Sequence, residues 1–377
     1  MTTIAVLITI AYLILIGYLI VGFDKIKRFA LKDIPAKTKF TVVIPFRNEA
    51  EKLPMLLKSI SELNYPKALF EIIFIDDESE DHSVEVIKTI SKKVRIEETL
   101  ISIIKNERKT KSPKKDAITA AILKAKHKWI ITTDADCVLP KFWLDSFDEF
   151  IQQEDCELIV APLTYSKSDN FLERFQLLDI LSLQGSTIGG FGISRPFLCN
   201  GANLAYKKSL FNDLNGFDGN TDIASGDDIF LLEKAVLKHK SKVRYLKCEH
   251  AIVTTQPEST WKSLKHQRMR WAAKTSAYKN WFGKFVGIII FLMNGGLMVF
   301  GLMTLIGIIK WKVFFYILII KFAIDALLLF KTALFFNQKE SLKSYPLSFF
   351  LYPLFSVYIV FISVFKTYKW KGRPYIK

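Results

Sequence analysis

Thr41-Val42-Val43-Ile44-Pro45-Phe46-Arg47-Asn48-Glu49 is an apolar run that ends abruptly in charge. It reads as a buried strand followed by the loop leaving it, because a continuous β-branched run suits a strand covered on both faces. The pattern then repeats. Ala50 to Ile60 has helical spacing of Leu53, Leu56, Leu57 and Ile60, and Phe70 to Ile75 is a second strand, closed by Asp76-Asp77-Glu78-Ser79. Asp81 to Ile90 reads as a helix, Leu100 to Ile104 as a third strand, and Lys105 to Lys115 as a charged loop. Asp116 to Ala125 is a further helix, and Trp129 to Thr133 a fourth strand that delivers Asp134 and Asp136. Strands alternating with helices predict a mostly parallel, doubly wound α/β sheet. Ligands of such sheets bind beyond the carboxyl ends of the strands, where both acidic motifs fall.

Outward from this block the chain becomes apolar. Of 377 residues, 50% are hydrophobic, and the excess is concentrated in four runs. Ile4 to Val21, Val286 to Ile309 and Pro346 to Phe365 carry no charge, and each can cross a hydrocarbon core of about 30 Å as a helix. Val313 to Phe330 carries Lys321 and Asp325, one helical turn apart and able to pair inside a bundle. No basic residue precedes the first run and no small-residue cleavage site follows it, so a retained anchor is expected rather than a signal peptide. The division expected from this reading is an N-terminal transmembrane helix (1–23), a basic linker (24–39), a catalytic domain (40–275), about three transmembrane or interfacial helices (276–365) and a basic tail (366–377).

Net charge is +16, and the basic residues gather at the flanks of the apolar runs. Six Lys/Arg against two Asp lie between Asp24 and Lys39, which puts that side in the cytoplasm and the N-terminus outside. Such clusters suit anionic headgroups and argue against nucleic acid as a partner. Three helices after a cytoplasmic domain would leave the C-terminus outside, yet the tail holds five basic residues and no acid. One segment is therefore expected to be re-entrant or interfacial, with the Lys321/Asp325 segment and the 286–309 run as candidates. Cys137, Cys156, Cys199 and Cys248 lack paired spacing, which points away from zinc or a disulfide framework and towards buried thiols in a reducing compartment.

Several constellations carry chemistry. An Asp-x-Asp at a strand end (Asp134, Asp136) can hold a hard divalent cation against a diphosphate, though such pairs are common. Asp76-Asp77 reads equally as a solvated turn or as carboxylates reaching a nucleotide, and Asp81 is placed to cap the next helix. Asn200-Gly201-Ala202-Asn203 and Gly226-Asp227-Asp228 are more pointed. Asp228, with Asp227 the second choice, is positioned as a general base, and both also suit the positive end of a helix over Ile229 to Leu237. Gln267-Arg268-Met269-Arg270-Trp271 reads either as membrane-interface residues or as a diphosphate and acceptor contact. Phe171 to Leu183 is amphipathic. Gly185 to Gly192 holds four glycines and reads as a flexible lip beside an acceptor groove or as a plain surface loop.

In their order these motifs resemble membrane-bound glycosyltransferase family 2, the inverting enzymes with a GT-A fold, over about residues 38–275. The matching pieces are Val43 to Glu49, Ile75 to Ser79, Lys114-Lys115-Asp116-Ala117, Thr133 to Asp136, Asn200 to Asn203, Gly226 to Asp228 and Gln267 to Trp271. Two departures stand out: Lys-Lys where the family often has Gly-Lys, and Asp227-Asp228 where it often has Glu-Asp. The resemblance implies that Pro45, Arg47, Glu49, Asp76 and Asp77 hold the nucleoside and that Lys115 sits near the diphosphate. Asp136, with Asp134, would bind Mg²⁺ or Mn²⁺, and Asp228 would act as base. Gln267, Arg270, Trp271 and Asn203 would line the acceptor and diphosphate side. The implied reaction moves a sugar from a nucleotide donor, UDP-linked in the first instance, to a hydroxyl of a lipid or lipid-linked acceptor at the cytoplasmic face. A processive polysaccharide synthase is the nearest alternative, and a membrane nucleotidyltransferase an alternative of another class. Trp370 to Tyr375 is similar to a tail ending of some lipid-directed members.

Overall fold

The computed structural model describes residues 1–166, 169–275 and 277–365, and a strand pair at 368–370 and 373–375. The remainder of the basic tail, including Lys371 and Gly372, lies outside the described residues. The chain forms two compact units, each assembled from separate chain segments.

One unit comprises Met1–Ile26, Lys167–Leu198 and Pro257–Lys377. Its helices are α1 (Thr2–Lys25), α6 (Phe171–Gly192), α9 (Trp261–Thr275), α10 (Trp281–Leu305), α11 (Trp311–Phe335) and α12 (Tyr345–Phe365). Among the described residues four segments are long and apolar enough to cross a membrane: α1, α10, α11 and Lys339–Phe365. Lys321 and Asp325 pair at 2.6 Å, and Tyr12 of α1 donates to the same carboxylate at 2.6 Å. A polar triad thus ties α1 to α11, with each charge partnered.

The glycine-rich stretch is neither a lip nor a loop but the second half of α6, which packs against α1. A Cβ at Gly189 would lie 2.3 Å from the Leu19 carbonyl oxygen, and one at Gly192 only 1.8 Å from that of Gly22. The backbones touch, so no larger residue fits, which is how small residues join helices in apolar surroundings. Composition suggested a loop because glycine costs a helix about 1 kcal/mol each. The missing fact was the partner helix, far away in sequence.

The second unit comprises Lys27–Ser166 and Cys199–Gln256. Its elements in chain order are β1 (Phe40–Phe46), α2 (Leu53–Ser61), β2 (Phe70–Asp76), α3 (Ser83–Lys93), β3 (Ile101–Lys105), α4 (Pro113–Lys124) and β4 (Trp129–Thr132). There follow β5 (Cys137–Val138), α5 (Trp143–Gln153), β6 (Leu158–Val160), β7 (Leu163–Tyr165), β8 (Leu204–Lys207), α7 (Lys208–Asp213), α8 (Asp227–His239), β9 (Val243–Tyr245) and β10 (Val253–Thr255). The main sheet runs β3-β2-β1-β4-β8-β6-β9, and a small one β5-β10-β7. β3, β2, β1 and β4 are parallel, as the alternation predicts. β8 pairs antiparallel with β4, with Leu204 opposite Thr132. That reversal brings Asn200 to Asn203, which precede β8, to the carboxyl edge of the parallel strands. Leu53, Leu56, Leu57 and Ile60 are buried as their spacing requires, each worth roughly 1.5–3 kcal/mol. The expected boundary at 275 departs from this partition, since residues 257–275 and α6 group with the apolar helices.

Candidate active site

Four loops leave the carboxyl ends of the parallel strands, and two of them adopt strained backbone. Asn48 after β1 and Glu78 after β2 have φ of 51° and 58°, a conformation that surrounding contacts must hold. Asn48 Oδ1 accepts from the Glu80 amide at 2.8 Å, and Arg47 donates to the Asp77 carbonyl at 2.8 Å. The two loops are thereby locked together.

Asp77 is buried and sits in a fixed cradle. Its Oδ1 accepts from Asn106 Nδ2 at 2.8 Å and from Arg108 Nε at 2.9 Å. Asn106 Nδ2 also donates to the Pro113 carbonyl; both its partners are acceptors, which fixes the amide orientation. Asp76 instead accepts from the Ser79 amide at 2.9 Å and closes its own turn. Glu49 is buried, its amide bonded to Ser83 Oγ, and Pro45 is half-buried near the end of β1. Asp81 accepts from Ser83 and Ala50 amides. Burial opposes ionisation there, but the hydrogen bond from the Ser83 hydroxyl, with these two amides, prevails and lowers its pKa.

The second centre gathers at the end of β4 and the start of α8. Gly226 enters α8 with φ of 88°, a left-handed turn that glycine adopts without strain. It puts Asp227 and Asp228 in the first helical turn, so the acid pair expected to include a base and the helix N-terminus coincide. Asp228 is half-buried; its Oδ2 accepts from the Gly201 amide at 3.1 Å and its Oδ1 from the Ile229 amide at 2.7 Å. Gly201 lies so close that an added Cβ would meet Asp227 Oδ2 at 2.9 Å. Lys114 Nζ bridges Asp134 Oδ1 at 2.8 Å and Asp227 Oδ2 at 3.4 Å. Burial by itself would lower the Lys114 pKa; the Asp134 and Asp227 carboxylates outweigh it and raise the pKa, so the lysine stays charged.

Two expected site residues are placed elsewhere. Lys115 is buried, donating to the carbonyls of Asn220 at 2.6 Å and Ile223 at 2.8 Å, with Phe230 beneath its ammonium. Its neighbour Lys114 takes the position beside the acids, because α4 begins at Pro113 and successive helical residues point about 100° apart. Asn203 has no exposed surface. It accepts from Trp143 Nε1 at 2.9 Å and donates to the carbonyls of Pro162 and Ala251. It is a satisfied core amide that pins the segment before β8, not an acceptor contact.

Asp134 and Asp136 are both half-buried, and Asp136 Oδ2 lies 3.6 Å from Lys52 Nζ. Among the described residues no group of three or more His, Cys, Asp and Glu side chains gathers to hold a metal ion. Two hard carboxylates without a soft or third ligand fit a cation such as Mg²⁺ that keeps most of its coordination for phosphate oxygens and water. Cys137, next in sequence, is buried; burial first, then Asp136 and Asp134, raise its pKa and keep the thiol protonated.

The Gln267–Trp271 motif lies on α9, in the helical unit. Gln267 Nε2 donates to Glu258 Oε1 at 3.1 Å. Arg268 is buried, bonded through Nε to Asp179 Oδ2 at 2.7 Å, with its guanidinium 4.1 Å from the Trp271 ring centroid. Tyr352 donates to the other Asp179 oxygen at 3.0 Å. Arg270 and Trp271 are half-buried. Sequence reasoning missed Lys114, Asn106, Arg108, Asp179 and Tyr352. Asn106 and Arg108 were findable, since they follow a third parallel strand at the same edge as Asp77.

Comparison with known proteins bears on the family and the fold. The family described as Glycosyl transferase family 2 matches residues 41–214, and Glycosyl transferase family group 2 matches residues 129–364. A probable glycosyltransferase of Bacillus subtilis, YdaM, is 27% identical over 248 residues, covering 64% of this chain and 56% of the relative. The glycosyltransferase AglE of Haloferax volcanii is 22% identical, covering 52% of this chain and 60% of the relative. The chain thus spans a little over half the length of these curated relatives. The mannosyltransferase PcManGT of Pyrobaculum calidifontis, solved with GDP-Man and Mn²⁺, shares the fold at TM-score 0.55 and 16% identity, over 93% of this chain and 98% of that one. The α/β unit with its parallel core is a GT-A fold, and the chain belongs to the glycosyl transferase family 2 group.

Proposed function

We propose that this protein is an integral membrane enzyme that transfers a sugar from a nucleotide donor, UDP-linked in the first instance, to a hydroxyl of a lipid or lipid-linked acceptor. The observation that carries the reading is the cluster of Lys114, Asp134, Asp227, Asp228 and Gly201 at the carboxyl edge of the sheet. It joins Asp134 at the strand end to a half-buried carboxylate with fixed orientation. Asp77, with Asn106 and Arg108, forms the nucleoside end, beside Pro45, Arg47 and Glu49. Asp228 is the general base for the incoming hydroxyl, held by two backbone amides that aim its carboxylate. Lys114 supplies fixed positive charge beside the leaving diphosphate. A divalent cation held by Asp136 and Asp134 would add charge compensation for that diphosphate. A single displacement inverts the sugar's anomeric centre. Gln267, Arg270 and Trp271 serve the acceptor and diphosphate side.

Support for the membrane setting comes from the four apolar segments and from the basic cluster after α1, which argues for a cytoplasmic catalytic unit. The test supplies radiolabelled nucleotide sugars to membranes bearing the wild type and Asp228→Asn, with lipid products resolved by mass spectrometry. Labelled lipid from the wild type, at least ~100-fold less from the variant, and nucleoside diphosphate as co-product are expected. Equal incorporation would remove Asp228 as base, and pyrophosphate release would favour a nucleotidyltransferase.

A further inference from the structure

The last apolar helix meets its neighbours in an order that a membrane crossing would not produce. One end of the helical bundle is defined by three contacts. Asp24, at the end of α1, pairs with Lys331 near the end of α11 at 3.0 Å. Ile193 touches Gly22, and Phe197, four residues on, stacks edge-on with Phe282 at the start of α10 at 5.4 Å. The end of α1, the start of α10 and the end of α11 therefore share one side, from which the chain passes on to Lys27.

α12 starts against the middle of α11. Tyr345 donates to the Phe322 carbonyl at 2.8 Å, and Phe322 packs on the rings of Tyr345 and Phe349. A crossing helix would climb from there past Tyr316, Phe315 and Trp311. Those residues are 63%, 46% and 67% exposed, and Leu305 across the loop is 84% exposed. Instead, the next turns of α12 meet α6, α9 and α10, where Val357 lies against Gly295 near the middle of that helix. Tyr352 bonds Asp179, Phe355 packs on Phe175 and Trp261, and Ile359 and Ile362 cluster with Met269. α9 ends at Thr275 and α10 begins at Trp281, so α12 finishes on the side where α10 starts. Its other face, Leu347, Phe350, Leu354, Tyr358, Phe361 and Phe365, is a continuous exposed apolar stripe at helical spacing.

We propose that α12 does not cross the bilayer but lies in the leaflet on the Lys27 side, its stripe seated on lipid acyl chains. It is anchored beneath by the Tyr352–Asp179–Arg268 network. The chain then crosses three times, through α1, α10 and α11, and the basic C-terminus lies on the same side as Lys27. The inference rests on the reading that α1, α10 and α11 span a membrane. It places a leaflet-embedded helix directly over α9, which presents Gln267, Arg270 and Trp271, so a lipid acceptor would reach them from the side rather than through a pore.

The test places an epitope at Met1, after Ile308 or after Lys377 of the full-length protein and scores protease and antibody access in oriented membrane vesicles. The Lys377 tag is expected opposite both the Met1 and Ile308 tags. A Lys377 tag on the Ile308 side overturns the proposal, because α12 would then cross. All three tags on one side, with alkaline carbonate releasing the protein, overturns the spanning reading itself. In a second measurement, a fluorophore at Phe361→Cys should be quenched more by lipids spin-labelled near the headgroup than by those labelled at the chain end. Absence of quenching by either would remove the leaflet seat.

Discussion

Lys114 Nζ lies 2.8 Å from Asp134 Oδ1 and reaches on to Asp227, so one ammonium joins Asp134 at the strand end to the acids that open α8. Without it three carboxylates would face each other at close range, and like charges so placed resist ionising together. Lys114→Met should lower kcat/KM by roughly 10²–10³, the usual cost of losing a fixed charge-stabilising donor. Lys114→Arg should recover part of that loss. Nucleoside diphosphate release measured across a donor titration checks it; a Lys114→Met enzyme within threefold of wild type would sink the assignment.

Lys115→Ala should act on folding instead. It strands two buried carbonyls, at a cost of about 1–3 kcal/mol, and leaves the donor KM within about twofold of wild type. Thermal unfolding and donor titration on the same preparation separate the two lysines.

Asn203→Leu should destabilise the protein by about 2–5 kcal/mol, because the Trp143 indole N–H and two carbonyls lose their partners in a dry interior. Whatever fraction folds should keep a normal KM for acceptor. A raised acceptor KM with unchanged stability would return Asn203 to the substrate.

The α1–α6 contact predicts a sharp contrast between glycines. Gly192→Val would drive a side chain into the Gly22 carbonyl, whereas a Cβ at Gly17 meets nothing within 4 Å. Gly192→Val should leave little folded protein in detergent extracts, by size-exclusion yield, while Gly17→Ala should match or slightly exceed wild type.

The cysteines predict slow alkylation. Burial pushes the Cys156 thiol up to about 12 and raises Cys137 and Cys248 as well. A raised pKa means less thiolate at any pH below it, and thiolate is the reacting form. At pH 8 the native protein should therefore react with iodoacetamide far more slowly at these three positions than the unfolded chain, read by intact mass.

The parallel half of the sheet was legible because Thr41–Ile44, Ile72–Ile75 and Ile130–Ile131 are buried on both faces, and that demand leaves a continuous apolar signature. The acids were legible because strand ends locate them. What escaped was phase and distant partnership. The helix expected from Asp116 begins at Pro113, and that shift decides which of two adjacent lysines meets Asp134. Arg268 and Arg270 pose the same problem on α9, where the buried one is bonded to Asp179, 89 residues earlier. Nothing local to Gly185–Gly192 names α1 as its partner either.

The hydrogen bond from Tyr12 to Asp325 joins residues 313 positions apart. At a synthesis rate of ~5–20 residues per second, α1 emerges tens of seconds before the helix that completes its polar triad. During that interval the Tyr12 hydroxyl stands open in the growing chain, and the backbone around Gly22 does so until α6 follows. Holding them open without mispairing makes the order of synthesis part of how this fold is reached.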